Sequence, residues 1–140
     1  MSLYFKRLTK LRQEINNILS KRKKKPNKEQ KIMIDFINGN TKKALFKFDN
    51  TTITLFTGDE RKGFKHILLK HYCNKCEGEI SANDIINFIA IYKKGIKLAN
   101  KGVSNNSLTV YYYKKGLKSY KLVLKKVEEN SFVVTFYSAT

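Results

Sequence analysis

The sequence predicts an α+β fold, in which helices pack on an antiparallel sheet of four to five strands. From Leu8 onward within residues 3–20, and again over residues 61–72, apolar residues recur every three or four positions, which is the spacing of an amphipathic helix. Over residues 43–57 and 107–138, apolar and polar residues alternate, which is the period of a half-buried strand. The chain has 140 residues, 41% of them hydrophobic, which is sufficient for a buried core.

The N-terminal part is predicted to hold two helices. The first, over residues 3–20, runs into the basic segment 21–25. It ends before Pro26, because proline lacks an amide N–H and its ring clashes with the preceding turn. Asn27 can cap the second helix, and Gly39 can stop it.

Positive charge dominates the chain and is densest at its start. The net charge is +18, and residues 1–31 hold 11 Lys or Arg against two acids. Such a chain is expected to bind an anionic partner, usually nucleic acid or an anionic membrane surface. We predict that residues 1–41 form a basic helical extension and that residues 42–140 form the main domain. The basic run 21–25 suits either a solvated linker or a phosphate-binding arm.

A β-hairpin and a helix are predicted next. Residues 43–57 have the alternation of two strands joined by a turn at Asp49 and Asn50. Asp59 is placed to cap the helix predicted over residues 61–72, because its side chain can accept a hydrogen bond from an unpaired amide of the first turn.

A further helix and a three-stranded meander follow. Ser81 and Asp84 have the spacing of a capping box, and the helix they begin is predicted to end near Gly95. Because this helix is apolar nearly all round, we expect it to be buried against the sheet. The last three strands are predicted over residues 107–114, 119–127 and 132–138.

In the last of these strands, strict alternation places two sets of side chains on opposite faces. One set consists of Phe132, Val134 and Phe136, and the other of Val133, Thr135 and Tyr137. Two hydroxyl-bearing side chains on one face of an apolar strand can be structural, or they can line a site.

Both histidines of the chain, His66 and His71, lie in the helix predicted over residues 61–72. On an ideal helix, His71 continues the apolar stripe of the core face. His66 lies in a row with Lys62 and Lys70, about 140° away from His71. The sequence therefore predicts one imidazole toward the interior and one among lysines, where phosphate is a natural ligand.

The two cysteines, Cys73 and Cys76, are too few for a disulfide framework. We expect two free thiols in a reduced, cytoplasmic setting. Zinc is a lesser alternative, since the pair supplies only two of the four ligands that a structural site needs. His66 and His71 would both have to join them. The sequence therefore predicts neither a metal nor a cofactor.

Three segments, in this order, resemble the phage and toxin branch of the barnase–EndoU–colicin–RelE (BECR) ribonucleases. They are Gly-Phe-Lys-His-Ile-Leu-Leu-Lys-His at residues 63–71, the helix over residues 78–91 with its Ile80-x-x-x-Asp84 pattern, and Val-Val-Thr-Phe-Tyr-Ser at residues 133–138. The resemblance covers residues 42–138. It implies a core of helices packed on an antiparallel sheet, and cleavage of RNA, often tRNA, without a metal.

The candidate catalytic residues follow from the chemistry that such a site needs. A base removes a proton from the ribose 2′-OH, the oxygen attacks the adjacent phosphate, and an acid protonates the 5′-oxygen leaving group. Histidine suits both proton steps, since its pKa lies near neutrality. The predicted catalytic residues are His66, His71, Lys70, Thr135 and Tyr137, of which the last two match the closing strand of the resembled family.

The predicted substrate-binding residues are Lys62, Lys65, Tyr111, Tyr113 and Ser138. The lysines would stabilise charge on the phosphate, and the two tyrosines, on one face of their strand, could stack a base. Each candidate also has a plainer interpretation. A histidine can be a satisfied core residue, a lysine row can be a solvated face, and tyrosines can simply pack a sheet.

Signatures of other enzyme classes are absent from the sequence. There is no glycine-rich phosphate loop and no Gly-x-Ser-x-Gly elbow, and the acids are scattered rather than paired for a two-metal nuclease. We expect a metal-independent endoribonuclease that acts in the cytoplasm on tRNA or another structured RNA, as a toxin or phage-related effector. The product would be a 2′,3′-cyclic phosphate. The expected partners are RNA and an acidic immunity or antitoxin protein.

Two other classes stay open. A non-catalytic nucleic-acid-binding module on a decayed nuclease fold would bind RNA with the same salt dependence but would leave it intact. A protein of anionic membrane surfaces would depend on residues 1–25 alone. No stretch of the sequence reaches the roughly 18 apolar residues of a membrane span.

Overall fold

A computed structural model describes residues 2–98 and 108–139, which form five α-helices and six β-strands. The helices are α1 (Leu3–Lys21), α2 (Lys28–Ile37), α3 (Phe64–Lys70), α4 (Ala82–Ile86) and α5 (Ile89–Lys94). The strands are β1 (Lys43–Lys47), β2 (Thr52–Phe56), β3 (Ile96–Leu98), β4 (Leu108–Lys115), β5 (Lys118–Val127) and β6 (Asn130–Ala139). The predicted α+β class is confirmed.

The strands form one open, mixed sheet in the order β1-β2-β6-β5-β4-β3. Neighbours are antiparallel except β2 and β6, which run parallel from Thr52 beside Asn130 to Thr54 beside Phe132. The sheet therefore has one strand more than predicted and is not purely antiparallel. The sequence pattern missed β3 because three residues are too few to show a period. The BECR-like core stays a prediction.

Both predicted N-terminal helices are present, the first one residue longer than predicted, and the predicted Asn27 cap of the second is confirmed. α1 ends at Lys21, ahead of Pro26, and α2 begins after Asn27. The Asn27 side chain accepts from the Gln30 N–H at 2.8 Å, and the Gln30 side chain accepts from the Asn27 N–H at 3.0 Å, which makes a capping box. In the described part of the chain, no helix is both long and apolar enough to cross a membrane.

The apolar faces of α1 and α2 are buried in the same core as the sheet. This cluster includes Leu8, Leu11 and Ile15 of α1, Met33, Phe36 and Ile37 of α2, and Phe46, Ile53, Leu55, Leu122, Leu124 and Phe136 of the strands. A division at residue 41 between an extension and a domain stays a prediction. The N-terminal helices nevertheless supply part of the apolar surface that the sheet buries.

The single helix predicted from Ser81 to Gly95 is two short helices in the structure. Its beginning is as predicted, since Ser81 and Asp84 form a capping box. The break falls at Asn87, whose amide donates to the Asn83 carbonyl at 2.8 Å and whose side-chain oxygen accepts from Gln30 at 2.8 Å. Asparagine favours helix ends because its side chain competes for such local bonds.

The predicted β1–β2 hairpin and the β4–β5–β6 meander are both present. The first residue predicted for β4, Ser107, lies outside the described residues. The strict alternation predicted for β6 is wrong, because a bulge at Val134 breaks the register between β5 and β6. Val133 and Phe136 therefore both face the core, whereas Thr135 and Tyr137 share the opposite face.

We predict that Leu11→Ala destabilises the whole fold. Leu11 is fully buried in α1 and contacts the common core, so removing its side chain should lower the free energy of unfolding by about 2–5 kcal/mol. Urea unfolding followed by circular dichroism measures this change. The matched control is Leu3→Ala in the same helix, since Leu3 is 52% exposed. Equal effects of the two substitutions would show that α1 is not part of the core.

Candidate active site

The candidate site lies where β2 and β6 separate. Their pairing stops at Thr54, and the free edge of β6 is then occupied by other backbone. The Gly63 N–H donates to the Val134 carbonyl at 2.8 Å, and the Ser138 N–H donates to the Gly78 carbonyl at 3.2 Å. α3 and the loop that follows it are thereby held against the C-terminal half of β6.

The entry to α3 is fixed by a close backbone approach. Gly63 has a φ of +90°, and a Cβ there would lie 3.0 Å from the Phe56 carbonyl oxygen. Asp59 does not cap α3, so that prediction is wrong. Its carboxylate accepts from the N–H groups of Arg61 and Lys62, at 2.8 and 3.1 Å, and these two bonds lower the pKa of Asp59. Asp59 lies in a turn of the loop that precedes α3, so its carboxylate caps that turn rather than the helix.

The C-terminal end of α3 is anchored by α1. Arg7 donates through Nη1 to the Leu68 carbonyl at 2.8 Å and also to the Leu69 carbonyl. The Tyr72 hydroxyl donates to the Glu14 carboxylate. A guanidinium at a helix C-terminus satisfies carbonyls that have no partner within the helix and complements the helix dipole. These contacts fix the position from which His71 leaves the helix.

His66 and His71 meet, although an ideal helix would point them apart. Their ring centroids are 5.5 Å apart, with the planes at 75°. The predicted separation is wrong because α3 ends at Lys70, and His71, with a φ of −126°, no longer follows the helix. The ring of His71 instead stacks on Tyr137, with centroids 5.3 Å apart and planes at 26°.

A backbone carbonyl orients each imidazole. Nδ1 of His66 lies 2.8 Å from the Glu60 carbonyl oxygen, and Nδ1 of His71 lies 2.9 Å from that of Glu77. Since a carbonyl oxygen only accepts, Nδ1–H is the donor in both rings. Nε2 is therefore the nitrogen that can take up or release a proton in each.

The surroundings of His71 favour its neutral form. Burial lowers the pKa of His71 below the ordinary value of 6.5, and the charges of His66 and Lys70 act in the same direction. The hydrogen bond to Glu77 opposes this effect without reversing it. A neutral imidazole with a free Nε2 is the form that can act as a base.

An open cleft of about 910 Å³ lies beside the two histidines. It is lined by His66, Lys70, His71, Cys76, Glu77, Gly78, Glu79, Lys118, Tyr137, Ser138 and Ala139. The cleft thus brings together five predicted site residues from two distant segments, namely His66, Lys70, His71, Tyr137 and Ser138. The Ser138 hydroxyl donates to the Glu79 carbonyl at 2.6 Å, which ties the end of β6 to the loop after α3.

The other five predicted site residues do not line this cleft. They are Lys62, Lys65, Tyr111, Tyr113 and Thr135. The Lys65 ammonium lies over the Tyr4 ring, 5.6 Å from its centroid, and Lys62 is exposed on the loop before α3. Thr135 has a buried Oγ1 without a hydrogen-bond partner among the described residues.

Tyr111 and Tyr113 face the helices rather than solvent. The Tyr111 ring contacts that of Tyr92 in α5 with centroids 5.0 Å apart, and burial raises the pKa of Tyr111. Tyr113 pairs across the strands with the buried Tyr120, and both Tyr111 and Tyr113 pack against the core. Their packing supports the plainer interpretation, in which these two tyrosines pack the sheet rather than stack a base.

Six of the eleven residues that line the cleft were not predicted as site residues, namely Cys76, Glu77, Gly78, Glu79, Lys118 and Ala139. Lys118 begins β5 and reaches the cleft only through the long-range folding of the sheet, so no local pattern marks it. Gly78 has a φ of +69°, and a Cβ there would lie 2.8 Å from Nδ1 of His71 and 2.9 Å from Cβ of Tyr137. Glycine is required where backbone must approach two rings so closely. In the sequence, the only sign of this role of Gly78 is that it is an isolated glycine in a polar loop.

Cys73 and Cys76 form a disulfide, so the expectation of two free thiols is wrong. Lys75, between them, has a φ of +61°, and the turn brings the two Cα atoms to 5.7 Å, a separation that a disulfide can bridge. Bonded sulfurs are not thiolate ligands. Within residues 2–98 and 108–139, no group of three or more His, Cys, Asp or Glu side chains is arranged to hold a metal ion.

Comparisons with protein-family models, with curated proteins and with solved structures found no match. The resemblance to BECR ribonucleases therefore stays an interpretation of three sequence segments.

We predict that protonation of His71 destabilises the fold. The unfolded chain has the ordinary pKa of about 6.5 and binds this proton more readily than the folded protein does. The neutral form of His71 therefore stabilises the fold fully above about pH 6.5. As the pH falls below this value the free energy of unfolding decreases, and it stops decreasing once the pH is below the folded-state pKa of His71.

An NMR titration gives the pKa of His71 directly, with His71→Gln assigning its signal. In urea unfolding, the difference between the wild type and His71→Gln should shrink between about pH 8 and about pH 5. A constant difference, or a titration midpoint at or above the ordinary histidine value, would contradict the prediction.

We predict that Gly78→Ala displaces the His71 ring. The new methyl group would overlap Nδ1 of His71, so both the stacking on Tyr137 and the bond to the Glu77 carbonyl should be lost. The NMR-derived pKa of His71 should then move toward that of a free histidine. The control is Gly116→Ala, since Gly116 has a similar φ of +63° and nothing within 4 Å. Because both variants place alanine at a similar positive φ, an equal response of His71 in the two would refute the steric argument.

Proposed function

We propose that the chain is a metal-independent endoribonuclease that cleaves tRNA or another structured RNA to a 2′,3′-cyclic phosphate. The observation that carries the proposal is the histidine pair. The ring centroids of the two imidazoles lie 5.5 Å apart, each ring is held through Nδ1 by a backbone carbonyl, and both border one cleft that Lys70 and Lys118 also line. A base and an acid side by side are what transfer of the phosphate to the 2′-oxygen needs.

In this proposal, Nε2 of His71 takes the proton from the ribose 2′-OH, because burial favours its neutral form. The 2′-oxygen attacks the phosphorus, and the bond from phosphorus to the 5′-oxygen breaks. Nε2 of His66 gives a proton to that leaving oxygen. The products are a 2′,3′-cyclic phosphate and a 5′-hydroxyl, and the proton balance of the two histidines is restored through solvent.

The charge that develops on the phosphate would be met by lysines. Lys70 lies one helical turn beyond His66, and Lys118 borders the same cleft from the sheet. Positioned cations in a partly enclosed cleft stabilise developing anionic charge more strongly than they do in bulk water. Tyr137 would hold the His71 ring in place, whereas Thr135, with its buried hydroxyl, would only support the strand beneath it.

The overall charge supports an RNA substrate. A net charge of +18 favours association with a polyanion and would steer it toward the cleft at low salt. A toxin or phage-related effector with this activity would need an acidic immunity or antitoxin protein in the cell that makes it, and such a partner would be complementary to this surface.

We predict that purified protein, incubated with total tRNA in EDTA, yields discrete fragments that end in a cyclic phosphate. His66→Gln and His71→Gln should each reduce the rate by about 10²–10⁴-fold, because each removes one proton-transfer group. Fragment ends are determined by their response to phosphatase before and after acid treatment, which opens the cyclic phosphate.

The matched control is a pair of lysine substitutions that each remove one positive charge. Lys70→Ala should slow cleavage because Lys70 lines the cleft, whereas Lys47→Ala, on the distant edge strand β1, should not. Intact but bound RNA would instead favour the non-catalytic binding module. Neither cleavage nor binding would leave the anionic membrane surface as the partner to test.

A further inference from the structure

A row of three side chains crosses the sheet on the face opposite the core. Tyr112 of β4 pairs with Lys121 of β5, and Lys121 pairs with Tyr137 of β6. Directly paired residues of antiparallel strands point to the same face. All three are partly exposed, whereas the flanking Leu122 and Phe136 are buried on the core side. We call Tyr112, Lys121 and Tyr137 the outer row.

The outer row is continuous with the candidate active site. Tyr137 stacks on His71, so the row begins at the histidine pair and runs away from it across three strands. Two strand spacings separate Tyr137 from Tyr112, which is about 10 Å. A chain of nucleotides with one phosphate at the histidines would therefore meet Lys121 first and Tyr112 next.

We propose that the outer row is a binding subsite for a single-stranded segment of RNA, in which a nucleobase stacks on Tyr112 and its phosphate contacts Lys121. This inference rests on the proposed function, and it names the part of the substrate that flanks the cut. Unstacked bases commonly bind on aromatic side chains that a sheet presents, with cations beside them for the backbone.

The alternation of β4 decides which tyrosine does this. Tyr111 and Tyr113 are turned toward α5 and the core, where their rings are already packed. Tyr112, between them, is on the outer face, where its neighbours across the strands are Lys121 of β5 and the exposed Ile96 of β3 rather than buried core residues. The side chain proposed to stack a base is therefore Tyr112 rather than the predicted Tyr111 or Tyr113, and Lys121 lies beside it.

The test measures binding separately from cleavage. The probe is a short single-stranded RNA with 2′-O-methyl groups, which cannot be cut through a 2′-OH, and its partner is an abasic ribose-phosphate strand of equal length. Tyr112→Leu should weaken binding of the strand with bases by about 5- to 100-fold and leave the abasic strand unaffected. Tyr112→Phe, which keeps the ring, should restore wild-type affinity.

Lys121→Gln should weaken binding of both strands and reduce the slope of log affinity against log salt by about 0.7, the value for one phosphate contact on a single strand. Lys47→Gln, a charge-matched change on the far edge strand, should leave the slope unchanged.

The outcomes separate the two proposals. If Tyr112→Leu binds both strands as the wild type does while tRNA is still cleaved, the subsite is refuted and the ribonuclease stands. If Tyr112 governs binding but no RNA is cut, the subsite stands and the ribonuclease fails. If the wild type binds neither strand and cuts nothing, both are refuted.

Discussion

The early separation of β2 from β6 is the constraint on which the candidate site depends. Three parallel pairs join the strands, and beyond Thr54 the edge of β6 would be left with unpaired amides and carbonyls. Gly63 and Gly78 satisfy two of these groups, one from each side of α3. A short helix is thereby fixed beside the strand that carries Tyr137, and His71, the first residue beyond that helix, meets this tyrosine. The histidine pair is a consequence of how the sheet edge is closed.

The basic N-terminal helix has a structural part in this arrangement. Arg7 satisfies terminal carbonyls of α3, and Glu14 accepts from Tyr72, so α1 fixes the end of α3 from which His71 departs. An arginine suits this role because its planar group can donate to two carbonyls at once. Some of the charge that suggests a polyanionic partner is therefore already engaged within the fold. Of the two lysines of the cleft, Lys70 is exposed at the end of α3, whereas Lys118 lies 3.9 Å from the Asp84 carboxylate, with which a bound phosphate would compete.

Local features of the fold were predictable, and long-range ones were not. The caps at Asn27 and Ser81 each depend on residues three positions apart, and the β1–β2 hairpin on one continuous segment, Lys43–Phe56, so the sequence pattern is sufficient for them. The parallel contact of β2 with β6 and the bulge at Val134 depend on segments about 80 and about 10 residues apart, respectively, and no periodicity encodes either. The sequence marks both histidines as candidates, but their meeting depends on where α3 ends, and at that end Arg7 of α1 donates to the last carbonyls.

The proximity of the two rings has a chemical consequence for the proposed mechanism. Two positive charges 5.5 Å apart in a partly desolvated cleft repel each other, and the charge of His66 is one of the causes that lower the pKa of His71. That repulsion acts in the same direction as burial, and both favour the neutral form of His71. Neutral His71 has the free Nε2 that the proposed base needs. The proposed acid thus helps to keep the proposed base unprotonated, so the proximity of the two rings serves the proposed reaction as well as the packing of the loop after α3.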